Sequence, residues 1–209
     1  MTRTRIKICG VTRQQDAVRA AELGAAFVGL NFWPGSPRSL SVEAARRIAE
    51  EVRGQVKVVG VFVNQPDGQV QEIASQVGLD LVQFHGDEGP GSVGAFGDRA
   101  IKVLRVGLNF DAAVLQEFPD VWGYLFDCDH PTLFGGSGVS WPYERVVGLG
   151  HEKPVIVAGG LRPTNVLQAI ARSGADIVDV SSGIESQPGV KDPELMKQFI
   201  YEVHHAEEG

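Results

Sequence analysis

Short runs of Val, Ile, Leu and Phe alternate along this chain with longer stretches of helical period. The runs are RIKIC (5–9), AFVGLNF (26–32), VKVVGVFV (56–63), LDLVQFH (79–85), AIKVLRV (100–106), WGYLFD (122–127), KPVIVAGG (153–160) and ADIVDVSS (175–182), eight in all. Each reads as a strand. Several are nearly continuous Val and Ile, as expected for strands of a parallel sheet buried on both faces. Seven of the intervals between and after them carry a helical pattern, among them RQQDAVRAAELG, SVEAARRIAEEV, PDGQVQEIASQVG, PTNVLQAIARSG and DPELMKQFIYEVHHA. The interval after the sixth run, YERVVGLG, is weak and predicts only a turn or two. Eight βα units in 209 residues predict an α/β protein, a compact (β/α)8 TIM barrel spanning 1–209 as a single domain. A doubly wound open sheet is the alternative that periodicity leaves standing.

The polar and reactive residues fall just after strands. Cys9 ends the first, NFWPGSPRS follows the second, and His85 and Asp87 follow the fourth. Asp127 ends the sixth, and AGG and SSG follow the seventh and eighth. In a barrel these points converge on one face, where active sites are built.

Charge narrows what that face can meet. The formal net charge is −7, which argues against nucleic acid and anionic membrane surfaces as partners. An anionic ligand must then be held by local donors. The two cysteines, Cys9 and Cys128, have no paired spacing and read as free thiols. The N-terminus lacks the apolar run of a signal peptide, and no stretch approaches the roughly 18 apolar residues of a membrane span. The expected location is the cytoplasm.

Each candidate has a plain structural role to set beside a chemical one. Cys9 is either a small buried hydrophobe or, with an ordinary pKa of about 8.5, a general base. Asp127 in YLFDCDH is either a turn cap or a partly buried general acid. Asp129 and His130 compete with it, but strand alternation lets Asp127 face inward. Arg38, in the loop GSPRSLS, is either an exposed charge or a carboxylate clamp. His85 is a hydrogen-bonding or capping histidine as readily as a ligand contact. The histidines show no helical pair and the cysteines no Cys-x-x-Cys, so no metal site is expected. Gly159 and Gly160, with Ser181, Ser182 and Gly183, supply small residues in the loops after strands seven and eight. In this architecture those loops hold phosphate. FGGSG (134–138) is a third glycine loop without the Lys-Ser or Lys-Thr of a Walker motif.

Together these motifs resemble the phosphoribosylanthranilate isomerase family of tryptophan biosynthesis. The resemblance rests on KICG, NFWPGSPRSLS, GVFVN, VQFHGDE, LFD, GGSG, AGGLRPTNV and DVSSGIESQPGVKD, in order along nearly the whole chain. It implies a cofactor-independent barrel that performs an Amadori rearrangement on a phosphosugar–anthranilate substrate. It implies Asp127 as general acid at the furanose ring oxygen and Cys9 as general base at C2. Arg38 matches the anthranilate carboxylate position, and Gly159, Gly160, Ser182 and Gly183 match the phosphate loops. His85 joins them as a substrate-binding candidate, and the assembly is expected to be a monomer or homodimer. Where many members read Phe-Asp-Trp after the third glycine loop, this chain reads VSWPYE, so Trp141 and Tyr143 are alternatives for an aromatic wall. The rivals fit less well. An indole-glycerol-phosphate synthase needs catalytic lysines and a glutamate at strand ends. A metal-dependent epimerase needs convergent ligands. A non-catalytic phosphosugar-binding barrel needs neither Cys9 nor Asp127.

Overall fold

The computed structural model describes residues 3–107, 109–128, 142–150 and 152–205. Asp129, His130, the loop 134–138 and Trp141 lie outside the described residues.

Eight parallel strands close into a barrel in sequence order: β1 (Arg5–Cys9), β2 (Phe27–Asn31), β3 (Lys57–Phe62), β4 (Leu81–Phe84), β5 (Ala100–Val106), β6 (Gly123–Cys128), β7 (Val155–Val157) and β8 (Ile177–Val180). The open-sheet alternative is excluded because β8 pairs with β1. Around them lie α1 (Gln14–Glu22), α2 (Val42–Glu51), α3 (Asp67–Val77), the short α4 (Pro90–Gly94), α5 (Val166–Ser173) and α6 (Pro193–His205).

The interval after β5, expected to be helical, holds a 3-10 turn over Ala112–Glu117 instead. Asp111 opens this turn by accepting from the Ala113 N–H. The Tyr124 hydroxyl, reaching from β6, donates to the carbonyls of Leu115 and Phe118. The carbonyls of this segment are thereby committed to tertiary bonds, which competes with an α-helical ladder. After β6 the described residues hold a 3-10 turn over Tyr143–Val146, as the weak pattern there predicts. A two-stranded hairpin, β9 (Glu185–Gln187) with β10 (Val190–Lys191), follows β8 and was not legible as strand.

Alternation along each strand builds two cores. Ile6, Ile8, Val82, Phe84, Tyr124, Phe126, Val178 and Val180 face outward and pack under the helices. Phe27, Val59, Leu81, Ile101, Leu125, Ile156 and Ile177 fill the barrel interior as an apolar floor. One step further along the same inward rows the side chains turn polar: Lys7 and Cys9, Gln83 and His85, Asp127, Asp179. The period of two therefore aims the chemistry at the C-terminal mouth.

Candidate active site

A cavity of about 290 Å³ opens at that mouth. Cys9, Arg38, His85, Asp127, Gly159, Gly160, Ser182 and Gly183 all line it. Their grouping follows from topology, since the strand ends that carry them meet only when the barrel closes.

Cys9 ends β1 opposite Gly29 of β2. A Cβ on Gly29 would lie 2.8 Å from the Cys9 sulfur and 3.2 Å from Lys7 Nζ, so the glycine makes room for both. Lys7, two residues back on the same inward row, is fully buried. Register places it directly opposite Asp179 of β8, and its ammonium donates to Asp179 Oδ1 at 2.9 Å. Burial, and next the negative charge of Asp179, push the Cys9 thiol above its ordinary range, against the partly offsetting charges of Lys7 and Lys191. The surroundings of Cys9 thus favour the thiol over the thiolate, a point that strand position alone does not reveal.

Asp127, on β6, is buried at the mouth. Its Oδ1 accepts from the Cys128 backbone N–H at 2.7 Å, and Oδ2 lies 3.4 Å from His85 Nε2. His85, expected at the substrate, is thus also a neighbour of Asp127. Cys128 faces the opposite way and packs with the outer core.

Arg38 is anchored rather than exposed. Its Nε and Nη2 donate to the two carboxylate oxygens of Glu185 at 2.9 and 2.7 Å, which pushes the guanidinium pKa further up. This pairing occupies one edge of the fork and leaves the Nη1 edge for a second planar anion. Glu185 in turn accepts from Lys191 Nζ at 2.8 Å, and that fully buried ammonium also donates to the carbonyls of Cys9 (2.5 Å) and Ser181 (3.2 Å). One hairpin lysine therefore ties together the end of β1, the end of β8 and the arginine loop. Lys7, Asp179, Glu185 and Lys191 were not singled out as site residues. Inward alternation with Cys9 marks Lys7, and alternation with Val178 and Val180 marks Asp179. The hairpin pair carries no comparable signal.

The two glycine loops lie against each other. Gly159 and Gly160 have φ of 87° and 67°, which favour glycine. Asn165 ties this loop down, donating from Nδ2 to the Gly160 carbonyl and accepting at Oδ1 from the Arg162 N–H. A Cβ on Gly183 would fall 1.8 Å from the Leu161 carbonyl oxygen, so the second loop must carry glycine to approach the first. Gly183→Ala is expected to separate the loops, raising KM for a phosphorylated ligand at least about tenfold, the effect of losing one charge-assisted contact. Steady-state kinetics on that variant checks it. Of the two aromatic alternatives, Tyr143 is buried and donates its hydroxyl to the Gly159 carbonyl at 3.0 Å. Its pKa is pushed up to about 12, chiefly by burial, and it braces the glycine loop. Among the described residues, Trp33, from the loop after β2, lines the cavity.

Fold and cavity together define a class: a TIM barrel whose mouth brings a thiol and a carboxyl to one cavity beside two glycine loops and an anchored arginine. The model of the N-(5'-phosphoribosyl)anthranilate (PRA) isomerase family matches residues 6–202. An N-(5'-phosphoribosyl)anthranilate isomerase from Azotobacter vinelandii is 44% identical over 207 residues, covering 99% of this chain and 100% of its own. The crystal structure of phosphoribosyl anthranilate isomerase from Thermotoga maritima superposes with a TM-score of 0.86 at 36% identity, covering 96% of this chain and 98% of that one. A further isomerase structure, in complex with reduced 1-(o-carboxyphenylamino)-1-deoxyribulose 5-phosphate, matches at a TM-score of 0.80 and 36% identity over the same shares. The chain belongs to the phosphoribosylanthranilate isomerase family.

Proposed function

We propose that Cys9 and Asp127 carry out the family's reaction in this cavity as a base and an acid. The chain is an isomerase of tryptophan biosynthesis, and its reaction is an Amadori rearrangement. The substrate is a phosphosugar bearing anthranilate, anionic at both ends. The carrying observation is that one cavity is lined by a donor set for each end and by a thiol and a carboxyl near the strand ends.

Arg38, after β2, takes the anthranilate carboxylate on its Nη1 edge. Ser182, Gly183 and the Gly159–Gly160 loop, after β8 and β7, take the phosphate. The sugar then spans the mouth between Cys9 on β1 and Asp127 on β6. Asp127 gives its proton to the furanose ring oxygen as the C1–O bond breaks, and the anthranilate nitrogen lone pair completes a Schiff base. The Cys9 thiolate removes the C2 proton. The electron pair of that bond moves toward the iminium nitrogen, giving an enolamine that tautomerises to the ketone. No redox partner enters, because C1 is reduced as C2 is oxidised. Valine at position 9 would pack as well but could accept no proton.

Nucleic acid and membranes have no part in this reading, and the place of action is the cytoplasm. Among the described residues no helix is long and apolar enough to cross a membrane. The test is the loss of phosphoribosylanthranilate fluorescence, with the substrate generated in situ. Turnover by the wild-type protein is expected, and an inactive protein that still binds phosphosugars would sink the reading.

The pH profile follows from Cys9. The base must be thiolate, while burial and Asp179 favour the thiol, against Lys7 and Lys191, with Arg38 also close. The active form needs the Cys9 thiolate and the protonated Asp127 together, so we expect a bell-shaped kcat/KM profile with one limb displaced above about 8.5, the ordinary thiol value, because burial and Asp179 raise the thiol. A profile with no limb above that value would exclude Cys9 as a titrating group of the reaction.

A further inference from the structure

We infer that Gln83 and His85 form a positioning pair behind Asp127, with Gln83 setting the His85 tautomer that steadies Asp127 as it gives up its proton. The inference rests on the reading of Asp127 as the acid.

Gln83 and His85 stand two apart on the inward row that begins at Leu81. Gln83 is completely buried where that row leaves the apolar floor. Its Nε2 lies 2.9 Å from His85 Nδ1. Its Oε1, equally buried, has no hydrogen-bond partner among the described residues. An unsatisfied buried oxygen is a cost to folding, so packing alone would favour Leu or Met here. What the amide provides is the contact to His85.

An amide nitrogen only donates. With the amide nitrogen turned to the ring, as the structure places it, His85 Nδ1 accepts, and we assign the proton of the neutral ring to Nε2, the nitrogen 3.4 Å from Asp127 Oδ2. The other oxygen, Oδ1, already accepts from the Cys128 N–H. One oxygen thus has a donor in hydrogen-bond contact and the other has Nε2 within 3.4 Å, and two consequences follow. As Asp127 protonates the ring oxygen, the carboxylate left behind meets the Cys128 N–H already in place and a second donor that needs to close by only a few tenths of an ångström, which lowers the barrier with little reorganisation. Because Nε2 carries a hydrogen and Nδ1 is engaged by Gln83, the neutral imidazole has no open lone pair with which to draw the acid's proton away. His85 acts through Asp127, and Gln83 acts through His85.

The tautomer can be read directly from the ring nitrogen shifts of 15N-histidine-labelled protein. In the wild type, at a pH where the His85 ring is neutral, its proton is expected on Nε2; a proton on Nδ1 alone would overturn the inference. Gln83→Glu replaces a donor by an acceptor, which forces a proton onto Nδ1. The ring then becomes imidazolium or presents a bare Nε2, and either state disturbs the acid. We expect kcat to fall roughly ten- to a hundredfold with KM within about twofold, below the cost of a full oxyanion donor because the Cys128 N–H remains. A purely structural role would lower thermal stability and leave kcat unchanged, and that result would overturn the inference. Should Gln83→Glu fail to fold, His85→Ala provides the second measure: the same loss of kcat, partly restored by added imidazole, is expected, and an unchanged kcat overturns the pair. Asp127→Asn separates the two levels. An active Asp127→Asn variant removes the acid reading itself, whereas an inactive one beside a fully active Gln83→Glu removes the positioning pair alone.

Discussion

Asp127→Asn and Cys9→Ser are each expected to lower kcat by about 10²- to 10⁴-fold while leaving KM within about threefold, the span set by losing one positioned acid or base. The amide of Asn has no acidic proton to give the furanose oxygen, yet its Oδ1 can still accept from the Cys128 N–H, so the β6 end keeps its local bond. Serine at position 9 fits the space that Gly29 leaves, but its hydroxyl does not ionise in the accessible range and so cannot collect the C2 proton. Neither change touches Arg38 or the glycine loops, so binding energy at the two anionic ends is retained. That combination, kcat lost with KM kept, is what removing an interaction made only in the transition state produces. The fluorescence assay on purified variants, with circular dichroism to confirm folding, reads both quantities. If Asp127→Asn turns over normally the acid lies elsewhere, and Asp129 is next to be tested.

The positions of Cys9 and Asp127 were legible because a strand has a period of two and a barrel has an inside. Once RIKIC and WGYLFD are strands, Ile6, Ile8, Tyr124 and Phe126 take the outer face and the reactive residues must take the inner one. The glycine loops were legible for the same reason, being the short connections after β7 and β8. What stayed hidden depends on pairing across long stretches of chain. Lys7 meets Asp179 from 172 positions away, through the register of the strands that close the barrel. The role of His85 beside Asp127 needs the β4 and β6 ends brought together, and Gln83 reads as an ordinary polar residue until its buried amide is seen against the imidazole ring. The segment after β5 carried apolar residues at helical spacing, but its carbonyls bond to Tyr124, and tertiary bonding outweighed local propensity.

Glu185→Leu is expected to produce the largest loss of stability, about 3–5 kcal/mol, the usual result of removing one partner from a buried ion pair. Lys191 is fully buried, and its remaining contacts would be the carbonyls of Cys9 and Ser181, which share its protons but do not balance its charge. Burial already lowers the Lys191 pKa, and Glu185 is the chief group opposing that shift. Without the glutamate, the lysine must either deprotonate or draw water into the barrel mouth. Arg38 loses its bidentate partner in the same step, so its guanidinium is no longer held toward the cavity. The variant should therefore unfold at lower denaturant concentration and show a raised KM in whatever folded fraction remains. Glu185→Gln distinguishes the two effects. The amide can still accept from Lys191 through its oxygen, but it cannot take both Arg38 donors, so smaller destabilisation with a comparable rise in KM is expected. Urea denaturation and steady-state kinetics measure the two separately. Wild-type stability in Glu185→Leu would mean that the lysine is solvated in solution, and the hairpin would then not be what secures the arginine.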